Sequence, residues 1–385
     1  MNPLKTIGHK VAIAVGARAR PPEGFVRYAA ERTGTGEGSR IHVERIFPAS
    51  EEEVPLPIVI GGEPAHNFHE KHHCPFPEVY VAKMHDARLF GSAIIDADNR
   101  LIGDLSVESG VWPEVVERHS LFYRRSLPRY ERLEGEYLGF STPYADNYYH
   151  WILEFIPRLE VIRRERPDIW DRAHGVILDP IRYPFQRETL DWLQLNKPVV
   201  ENDRNMQVAT LFVPSRAGMM GDPPRWACEF AYDALIGLGG LRAGEFGDAR
   251  QRIYISRAKA EKRRVVNEEE VLSILTPRGF VKVQLEDLSV REQIRLFSQA
   301  QAVVAPHGAG LVNTLFCNPG TPLVELFPSG KSTHCFWMLA HHRGLKYRFV
   351  SGTAGNSETS ATAQTEPIIV DVNRLKTALE DFELL

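Results

Sequence analysis

The chain has 385 residues, of which 43% are hydrophobic and 25% charged, a balance typical of folded globular proteins. Its 46 basic and 50 acidic side chains give a formal net charge of −4, so no overall positive field favours nucleic-acid binding. The four cysteines form no C-x-x-C pair, which favours a reducing compartment over a disulfide scaffold or a zinc site. The length predicts about two domains, since single cores stop growing at about 250–300 residues.

Apolar runs are short throughout the chain. The N-terminal run is interrupted by Arg18 and Arg20, and no segment has the roughly 18 uninterrupted apolar residues of a membrane helix. We therefore expect a cytoplasmic protein, with peripheral contact at the inner face of a membrane left open. Residues 1–135 are predicted to be a strand-rich N-terminal region, in which residues 91–106 indicate a hairpin around the Asp98-Asn99 turn.

A different pattern begins near residue 136 and predicts an α/β domain over residues 136–240. Apolar residues recur at intervals of three and four over YYHWILEFIPRLEVIRRE, which indicates a helix with one buried face. Asp146 or Asn147 can cap this helix, and Pro157 is expected to kink it. Buried strands are predicted at HGVILD and ATLFVPS, with the helix FQRETLDWLQL between them.

The remaining residues, 241–385, are predicted to form a Rossmann-like domain in which strands again alternate with helices. Ser289 and Glu292 form a capping box for one helix, Asn267 precedes another, and residues 351–367 are a predicted surface loop. This alternation predicts an α/β fold with parallel sheets, and two such halves joined near residues 235–250 would leave a cleft between them. The predicted strands are RIYIS, GFVKVQLE, AVVAP, LVELF, KYRFV and IIVDV, and further helices are expected at LVNTLFC and HCFWMLAHHRG.

Ligands of parallel α/β sheets bind where strands end, and three strands of the last domain carry unusual residues. Ser256 and Arg257 end one strand and precede a basic loop. This loop could bind an anion, or its charges could simply be solvated at the surface. His307, with Gly308 and Gly310, follows a second strand, where the glycines could bring a backbone close to an anion or serve only a tight turn. Glu325 lies inside an apolar strand and needs a partner, either a ligand hydroxyl or an arginine.

A fourth candidate site lies at the start of the aromatic helix and consists of Asp146, Asn147 and His150. Either Asp146 or His150 could act as a general base. The structural alternatives are helix capping by Asp146 and core packing by His150.

Together these segments resemble glycosyltransferase family 61 over roughly residues 137–350. The matching text is NYYHWILEFIPRL, RIYISRAKAEKRRVVNE and the segment 279–328, which contains HGAGLVN and VELFP. The resemblance implies a GT-B-like fold of two facing Rossmann-type domains, with residues 136–240 on the acceptor side and residues 241–385 binding the nucleotide sugar. It implies a hexosyl- or pentosyltransferase of polysaccharide biosynthesis that moves sugar, with inversion, from a UDP-sugar to a glycan or lipid-linked glycan.

Carried over by position, the resemblance assigns Ser256, Arg257 and Arg263 to the diphosphate and Glu325 to the ribose. It places Asn147 at the donor sugar, and the acceptor proton would pass to Asp146 or, less favourably, to His150. The remaining residues assigned to the donor pocket are His307, Gly308, Ala309, Gly310 and Asn313.

We expect no cofactor and no metal, although two segments contain metal-ligand residue types. Asp96-Ala97-Asp98 matches the DxD motif that holds a metal in many sugar transferases, but it falls in a predicted hairpin turn, where Asp is common. The cluster HNFHEKHHC matches no zinc spacing and is predicted to be a polar loop. Two alternative functions remain open, a nucleotide-sugar-modifying enzyme and a catalytically silent nucleotide-sugar-binding scaffold.

Overall fold

The structure is a computed structural model that describes residues 18–33, 40–108, 110–142, 144–219, 221–238, 251–329, 332–353 and 366–384. Most of the N-terminal apolar run lies outside these ranges, as do residues 354–365 of the predicted surface loop and residues 239–250 of the predicted junction between the two halves. No helix within them is long and apolar enough to cross a membrane. The chain divides into two compact units, the first formed by residues 1–50 and 77–218 and the second by residues 51–76 and 219–385.

The described elements follow in chain order. The strands are β1 Gly24–Val26, β2 Ile41–Phe47, β3 Ser50–Glu53, β4 Ile58–Ile60, β5 His73–Phe76, β6 Val79–Phe90, β7 Ala93–Ile95, β8 Arg100–Ile102, β9 Tyr130–Gly139, β10 Gly175–Leu178, β11 Val199–Glu201, β12 Asn205–Pro214, β13 Gln251–Ile255, β14 Phe280–Val283, β15 Ala300–Pro306, β16 Pro322–Phe327 and β17 Lys346–Ser351. The α-helices are α1 His66–Glu70, α2 Tyr148–His150, α3 Ile156–Glu165, α4 Pro167–Arg172, α5 Pro184–Leu193, α6 Arg225–Leu238, α7 Glu268–Leu275, α8 Val290–Ser298, α9 Cys335–His342 and α10 Val372–Glu380. A π-helix covers Trp151–Phe155, and 3-10 helices cover Ala29–Arg32, Gly103–Leu105, Pro113–Arg118, Ser120–Tyr123, Thr276–Arg278, Leu285–Asp287 and Ala309–Phe316.

The first unit is built on a mixed sheet in the order β1-β8-β7-β6-β12-β9-β10-β11, with β2 also paired to β6. Strands β12, β9, β10 and β11 are parallel, and helices connect β9 to β10 and β10 to β11. The long strand β6 is antiparallel to β12, with Val81 opposite Pro214 and Leu89 opposite Met206. Five strands of the N-terminal region therefore share one sheet with β9 to β12, and these are β1, β2, β6, β7 and β8.

The second unit is built on a parallel sheet in the order β14-β13-β15-β16-β17-β4. Five of these strands were predicted from the alternating pattern of residues 241–385. The sixth, β4, comes from residues 58–60 and pairs with β17 through Val59 opposite Phe349. Helices α7 and α10 pack one face of this sheet, where Val271, Leu275 and Leu375 are fully buried.

Capping side chains mark the starts of two helices in the second unit, α8 and α10. Ser289 caps α8, since its Oγ accepts from Glu292 N at 3.3 Å while Glu292 Oε2 accepts from Ser289 N at 2.8 Å. The predicted strand IIVDV is wrong, because Ile368 makes only an isolated bridge to Val265. Asp371 ends this extended stretch by capping α10, its carboxylate accepting from Asn373 N at 3.0 Å.

The aromatic helix of the first unit is interrupted where Pro157 was expected to disturb it. The π-helix Trp151–Phe155 separates α2 from α3, and Pro157 lies in the first turn of α3. Proline has no N–H to donate to a carbonyl four residues earlier. A π turn directly before Pro157 therefore loses no hydrogen bond from this residue and costs little free energy. The irregularity is therefore an inserted π turn.

The predicted hairpin of residues 91–106 is confirmed by the antiparallel pairing of β7 and β8. Asp96 Oδ1 accepts from Asp98 N at 3.0 Å and from Arg100 N at 2.8 Å, which closes the turn. Asn99 follows in the left-handed region with φ of 63°. Asp96 is thus engaged by backbone N–H groups, as a turn residue would be.

Candidate functional site

Three loops meet at the carboxyl edge of the second sheet. Strands β13, β15 and β16 are adjacent and parallel, so the residues that follow them emerge on the same edge. These are the loop from Ser256 to Arg264, the turn His307–Gly310 and the segment that leads from β16 to α9. Ligands of parallel sheets bind at this edge.

His307 is fixed by a buried carboxylate. Its Nδ1 lies 2.5 Å from Glu325 Oε1, and Glu325 is fully buried. The other oxygen, Oε2, accepts from Tyr347 Oη at 2.7 Å, and burial raises the pKa of this tyrosine further above its ordinary value. The His307 ring stacks on Phe327 with a centroid distance of 5.0 Å. Because a carboxylate only accepts, Nδ1 carries the hydrogen and Nε2 is the nitrogen available to other groups.

Gly308 makes room for Arg257. A Cβ at Gly308 would lie 2.1 Å from Arg257 Nη1, so any side chain there would displace the guanidinium. Arg257 is held by Lys262 O, which accepts from Nη2 at 3.2 Å, and burial lowers its pKa. Gly310 has a similar role, since its Cβ would lie 2.6 Å from Leu285 Cδ1. Both glycines of the HGAG turn therefore admit neighbouring side chains.

Arg263 combines an unusual backbone with an unsatisfied side chain. Its φ of 57° places a non-glycine residue in the left-handed region, which costs free energy unless the surroundings impose it. Its Nε is buried without a hydrogen-bond partner. Burial lowers the pKa of Arg263, and the nearby charges of Cys335 and Glu325 act in the opposite direction. A buried donor without a partner next to a basic loop is suited to an anion.

Two predicted donor-site residues make internal hydrogen bonds. Ser256 Oγ donates to Glu268 Oε1 at 2.6 Å and is buried, which ties the end of β13 to the start of α7. Asn313 Nδ2 donates to Gln293 Oε1 at 2.7 Å and connects the 3-10 helix after the HGAG turn to α8. Ala309 is half-buried at the start of that helix.

The first unit holds a second arrangement, around His150. Its Nδ1 lies 2.7 Å from Glu154 Oε1, and Glu154 Oε2 accepts from Arg216 Nη2 at 2.8 Å. Burial would raise the pKa of Glu154, but the charge of Arg216 and the hydrogen bond from His150 outweigh burial and lower it. The His150 side chain is 15% exposed. Glu154 was not among the predicted site residues, although the spacing of four residues on a helix predicts such a pair.

The loop that leads to His150 is tied to the carboxyl edge of the first sheet. Asp179, directly after β10, accepts from Thr142 N at 2.7 Å and from Ser141 Oγ at 2.8 Å. Arg158 of α3 donates to Thr142 Oγ1 at 2.9 Å and to Pro214 O at 2.8 Å. Burial raises the pKa of Asp179 and lowers that of Arg158 to about 10. This network places the start of the aromatic helix at the ends of β9, β10 and β12.

Of the two predicted capping residues, Asn147 caps α2. Its Oδ1 accepts from Tyr149 N at 2.9 Å. Asp146 is exposed, and its charge acts on the pKa of Asp179. Asp146, Asn147 and His150 thus lie together in the first unit, and the other predicted site residues lie in the second.

Neither the DxD match nor the cluster HNFHEKHHC forms a group of metal ligands in the described ranges. The only such group found there is Glu52 with His341 and His342, whose ligand atoms lie within 4.8 Å of one another. Glu52 also accepts from Arg225 Nη2 at 2.7 Å, so this carboxylate already has a cationic partner. Three histidines of HNFHEKHHC each lie near a single carboxylate: His66 near Glu70 at 3.3 Å, His72 near Glu53 at 3.6 Å and His73 near Glu51 at 4.0 Å.

Residues 148–324 match a protein-family model described as Glycosyltransferase 61. The chain carries a glycosyltransferase 61 domain. The match confirms the resemblance and covers the domain from the aromatic helix to β16. Asp146, Asn147 and Glu325 lie just outside the matched residues.

Curated relatives of this glycosyltransferase 61 domain are similar over short stretches. Protein O-linked-mannose beta-1,4-N-acetylglucosaminyltransferase 2 of Xenopus tropicalis is 34% identical over 105 residues, 26% of this chain and 18% of that protein. The protein of the same name from Homo sapiens is 40% identical over 74 residues, 18% of this chain and 13% of that protein. EGF domain-specific O-linked N-acetylglucosamine transferase of Pan troglodytes is 29% identical over 105 residues, 26% of this chain and 20% of that protein. The chain thus spans a fifth or less of the length of these relatives.

Proposed function

We propose that the chain is a glycosyltransferase that moves a sugar from a nucleoside-diphosphate sugar to a glycan acceptor. The observation that carries this proposal is the cluster of Arg257, Arg263 and His307 at one edge of the parallel sheet, within a glycosyltransferase 61 domain. Two arginines and a helix start can bind a diphosphate by charge-assisted hydrogen bonds. Each named relative is a transferase of N-acetylglucosamine, which supports a UDP-sugar as donor.

Charge on the leaving diphosphate is proposed to be stabilised by protein cations without a bound metal. Arg257 and Arg263 present the planar guanidinium that fits phosphate oxygens. Asp96, the first residue of the DxD match, already accepts from two backbone N–H groups. Preorganised donors of this kind act on the charge that develops in the transition state.

The acceptor proton is proposed to pass to His150, which Glu154 orients. General bases are held by a second group that fixes their tautomer, and Glu154 with Arg216 provides this support. Asp146 remains the alternative base, since its carboxylate is exposed at the same helix start. A base that activates an acceptor hydroxyl suits direct displacement with inversion, and the β linkage in one relative's name supports inversion of an α-linked donor sugar.

Glu325 is proposed to act through His307. Both of its oxygens are already engaged, by His307 and by Tyr347, and its side chain is fully buried. A ribose hydroxyl would have to displace one of these partners. The carboxylate therefore serves to hold the ring of His307 at the pocket, and binding of the ribose by Glu325 has less support.

The finer fold assignment is also a proposal. The parallel sheet of the second unit, with ligand-type residues at its carboxyl edge, supports the nucleotide-binding half of a GT-B-like pair. The four free cysteines support a reducing compartment such as the cytoplasm. The acceptor is a glycan, of a polysaccharide or of a glycoprotein; the relatives' names favour an O-linked protein glycan.

The proposal is tested by a thermal-shift titration with UDP, GDP, CDP and ADP in excess EDTA. A ligand that binds only the native state stabilises it by about 2.7 kcal/mol at a hundred times its dissociation constant. We expect UDP to raise the melting temperature in EDTA, and the Arg257→Ala variant to lose this shift. A shift that needs Mn²⁺ would refute metal independence, and no shift with any nucleotide would refute the donor site.

A further inference from the structure

Asp222 is a further buried carboxylate of the second unit, near the residues of the proposed diphosphate site. Only 1% of the Asp222 side chain is exposed, and its Oδ2 lies 2.5 Å from Lys71 Nζ. An unpaired carboxylate at such a position would be costly, and Lys71 supplies the balancing charge. Burial is the largest single influence on Lys71 and lowers its pKa, but the hydrogen bond to Asp222 and the charge of that carboxylate, together with smaller nearby charges, hold this pKa above its ordinary value.

His334 is an additional partner of this carboxylate. Its Nε2 lies 2.5 Å from Asp222 Oδ1, at ion-pair distance. Since Lys71 already balances the charge, His334 is not needed to make the burial of Asp222 tolerable. The two atoms make no hydrogen bond of regular geometry, so the contact is electrostatic, and Nδ1 is left for another partner. The His334 side chain is 19% exposed, so a ligand can reach it.

The segment that carries His334 belongs to the same sheet edge as the predicted diphosphate site. It follows β16 and leads into α9, whose first residue is Cys335. Thr333 Oγ1 lies 3.2 Å from His307 Nε2, which joins this segment to the HGAG turn. Asn67 Nδ2 donates to Ser332 O at 3.2 Å and holds the segment from the other side. His334 is thus fixed beside His307 at the start of a helix, where the dipole also favours an anion.

We propose that His334, oriented by Asp222 and Lys71, is a third ligand of the donor diphosphate and donates from Nδ1 to a phosphate oxygen. The inference rests on the proposed function, because it takes the HGAG edge as the diphosphate site. To form an ion pair with Asp222 and also donate from Nδ1 to a phosphate oxygen, His334 binds as an imidazolium. It then adds a third cation to Arg257 and Arg263, in the role that a divalent metal has in other diphosphate sites.

The test is titration calorimetry with inorganic pyrophosphate and with UDP, both in EDTA. The variants are His334→Gln, Asp222→Asn, Arg257→Ala and the control His66→Gln, whose native side chain is 86% exposed. A hydrogen bond between charged groups is worth about 1.5–3 kcal/mol, so we expect His334→Gln to weaken pyrophosphate binding by at least about tenfold. Asp222→Asn should weaken it as well, although Asp222 does not touch the ligand, and His66→Gln should bind like the wild type.

A second measurement follows the wild-type protein and needs a folded variant only to assign the resonances. In wild-type protein with ¹⁵N-labelled histidine, the ring resonances of His334 are assigned by their loss in His334→Gln or, if that variant is unfolded, in His334→Asn. Pyrophosphate should shift the Nδ1 resonance of His334 to the position of a protonated nitrogen.

The outcomes separate this inference from the proposed function. If binding depends on Arg257 while His334→Gln binds like the wild type and Nδ1 does not shift, His334 is not a ligand and the proposed diphosphate site stands. If the wild type binds neither pyrophosphate nor UDP, the diphosphate site and this inference are both overturned.

Discussion

At the scale of single residues, three histidines each lie beside a carboxylate that has a second, strong partner. Glu154 is shared between His150 and Arg216, Glu325 between His307 and Tyr347, and Asp222 between His334 and Lys71. The second partner keeps each carboxylate in place, so that the histidine is oriented by a fixed group. Rigid support of this kind is what a binding or catalytic site requires.

The contact between Gly308 and Arg257 gives a prediction at this scale. In Gly308→Ala the new methyl group would fall on the Arg257 guanidinium, 2.1 Å from Nη1. The φ of 176° suits any residue, so backbone strain adds nothing to the effect. We expect a tenfold or greater loss of UDP affinity, on the scale of one charge-assisted hydrogen bond, with little change in melting temperature.

The matched control is Gly344→Ala, at a glycine with φ of 65° and no heavy atom nearer to its added Cβ than 3.6 Å. That variant should lose stability through its backbone and keep its UDP affinity. If Gly308→Ala binds UDP as tightly as the wild type, Arg257 does not contact the nucleotide.

The sequence indicates the charged residues of the candidate site, but it does not indicate which side chains contact them. Polar residues at strand ends often line ligand sites, which is why Arg257 and His307 were selected. A carboxylate inside an apolar strand needs a partner, which is why Glu325 was selected. Their neighbours Thr333 and Tyr347 are ordinary residues in sequence, and only the parallel pairing of β16 with β17 brings Tyr347 to Glu325. The alternative of an arginine partner for Glu325 was wrong, because His307 and Tyr347 hold its two oxygens.

At the scale of elements, the aromatic helix is the feature with the most consequences. The π turn Trp151–Phe155 separates His150 from α3, and His150 and Glu154 meet at its start. Single π turns are rare and occur often at functional sites. The periodicity predicted a helix here, but no pattern of apolar residues distinguishes a π turn from an α turn.

The pairing of His150 with Glu154 gives the prediction for this element. Glu154→Gln keeps the volume and an acceptor for His150, but removes the charge that supports an imidazolium. We expect kcat to fall by about tenfold to a hundredfold while the donor KM stays within about twofold, because positioned general bases contribute roughly 10²–10⁴. Turnover is measured at saturating donor, and the fold is checked by the melting temperature.

Glu165→Gln is the control on the same segment, since Glu165 is exposed at the end of α3. It should leave kcat and KM unchanged. An unchanged kcat in Glu154→Gln would reject the His150–Glu154 pair as the base and favour Asp146.

At the scale of the whole molecule, the sequence predicted an α/β chain with parallel sheets. It did not predict that the first 135 residues contribute strands to both large sheets. Alternation of strands and helices is a local pattern, and it located β13 to β17 and the helices between them. The insertion of β4 beside β17 joins residues about 290 positions apart, and nothing local in IVI indicates its partner. The sequence of the long strand β6 likewise does not indicate that this strand pairs in antiparallel fashion with β12.

The most direct test of the account is sugar transfer itself. Radiolabelled UDP-sugars, including UDP-N-acetylglucosamine, are incubated in excess EDTA with a mannoside acceptor, using wild type, Arg257→Ala and the exposed control Arg295→Ala. We expect labelled product from the wild type and from Arg295→Ala, and on the order of a hundredfold less from Arg257→Ala, the scale of one lost preorganised donor. Wild-type turnover in Arg257→Ala, or transfer that stops in EDTA and returns with Mn²⁺, would contradict the proposed metal-independent diphosphate site.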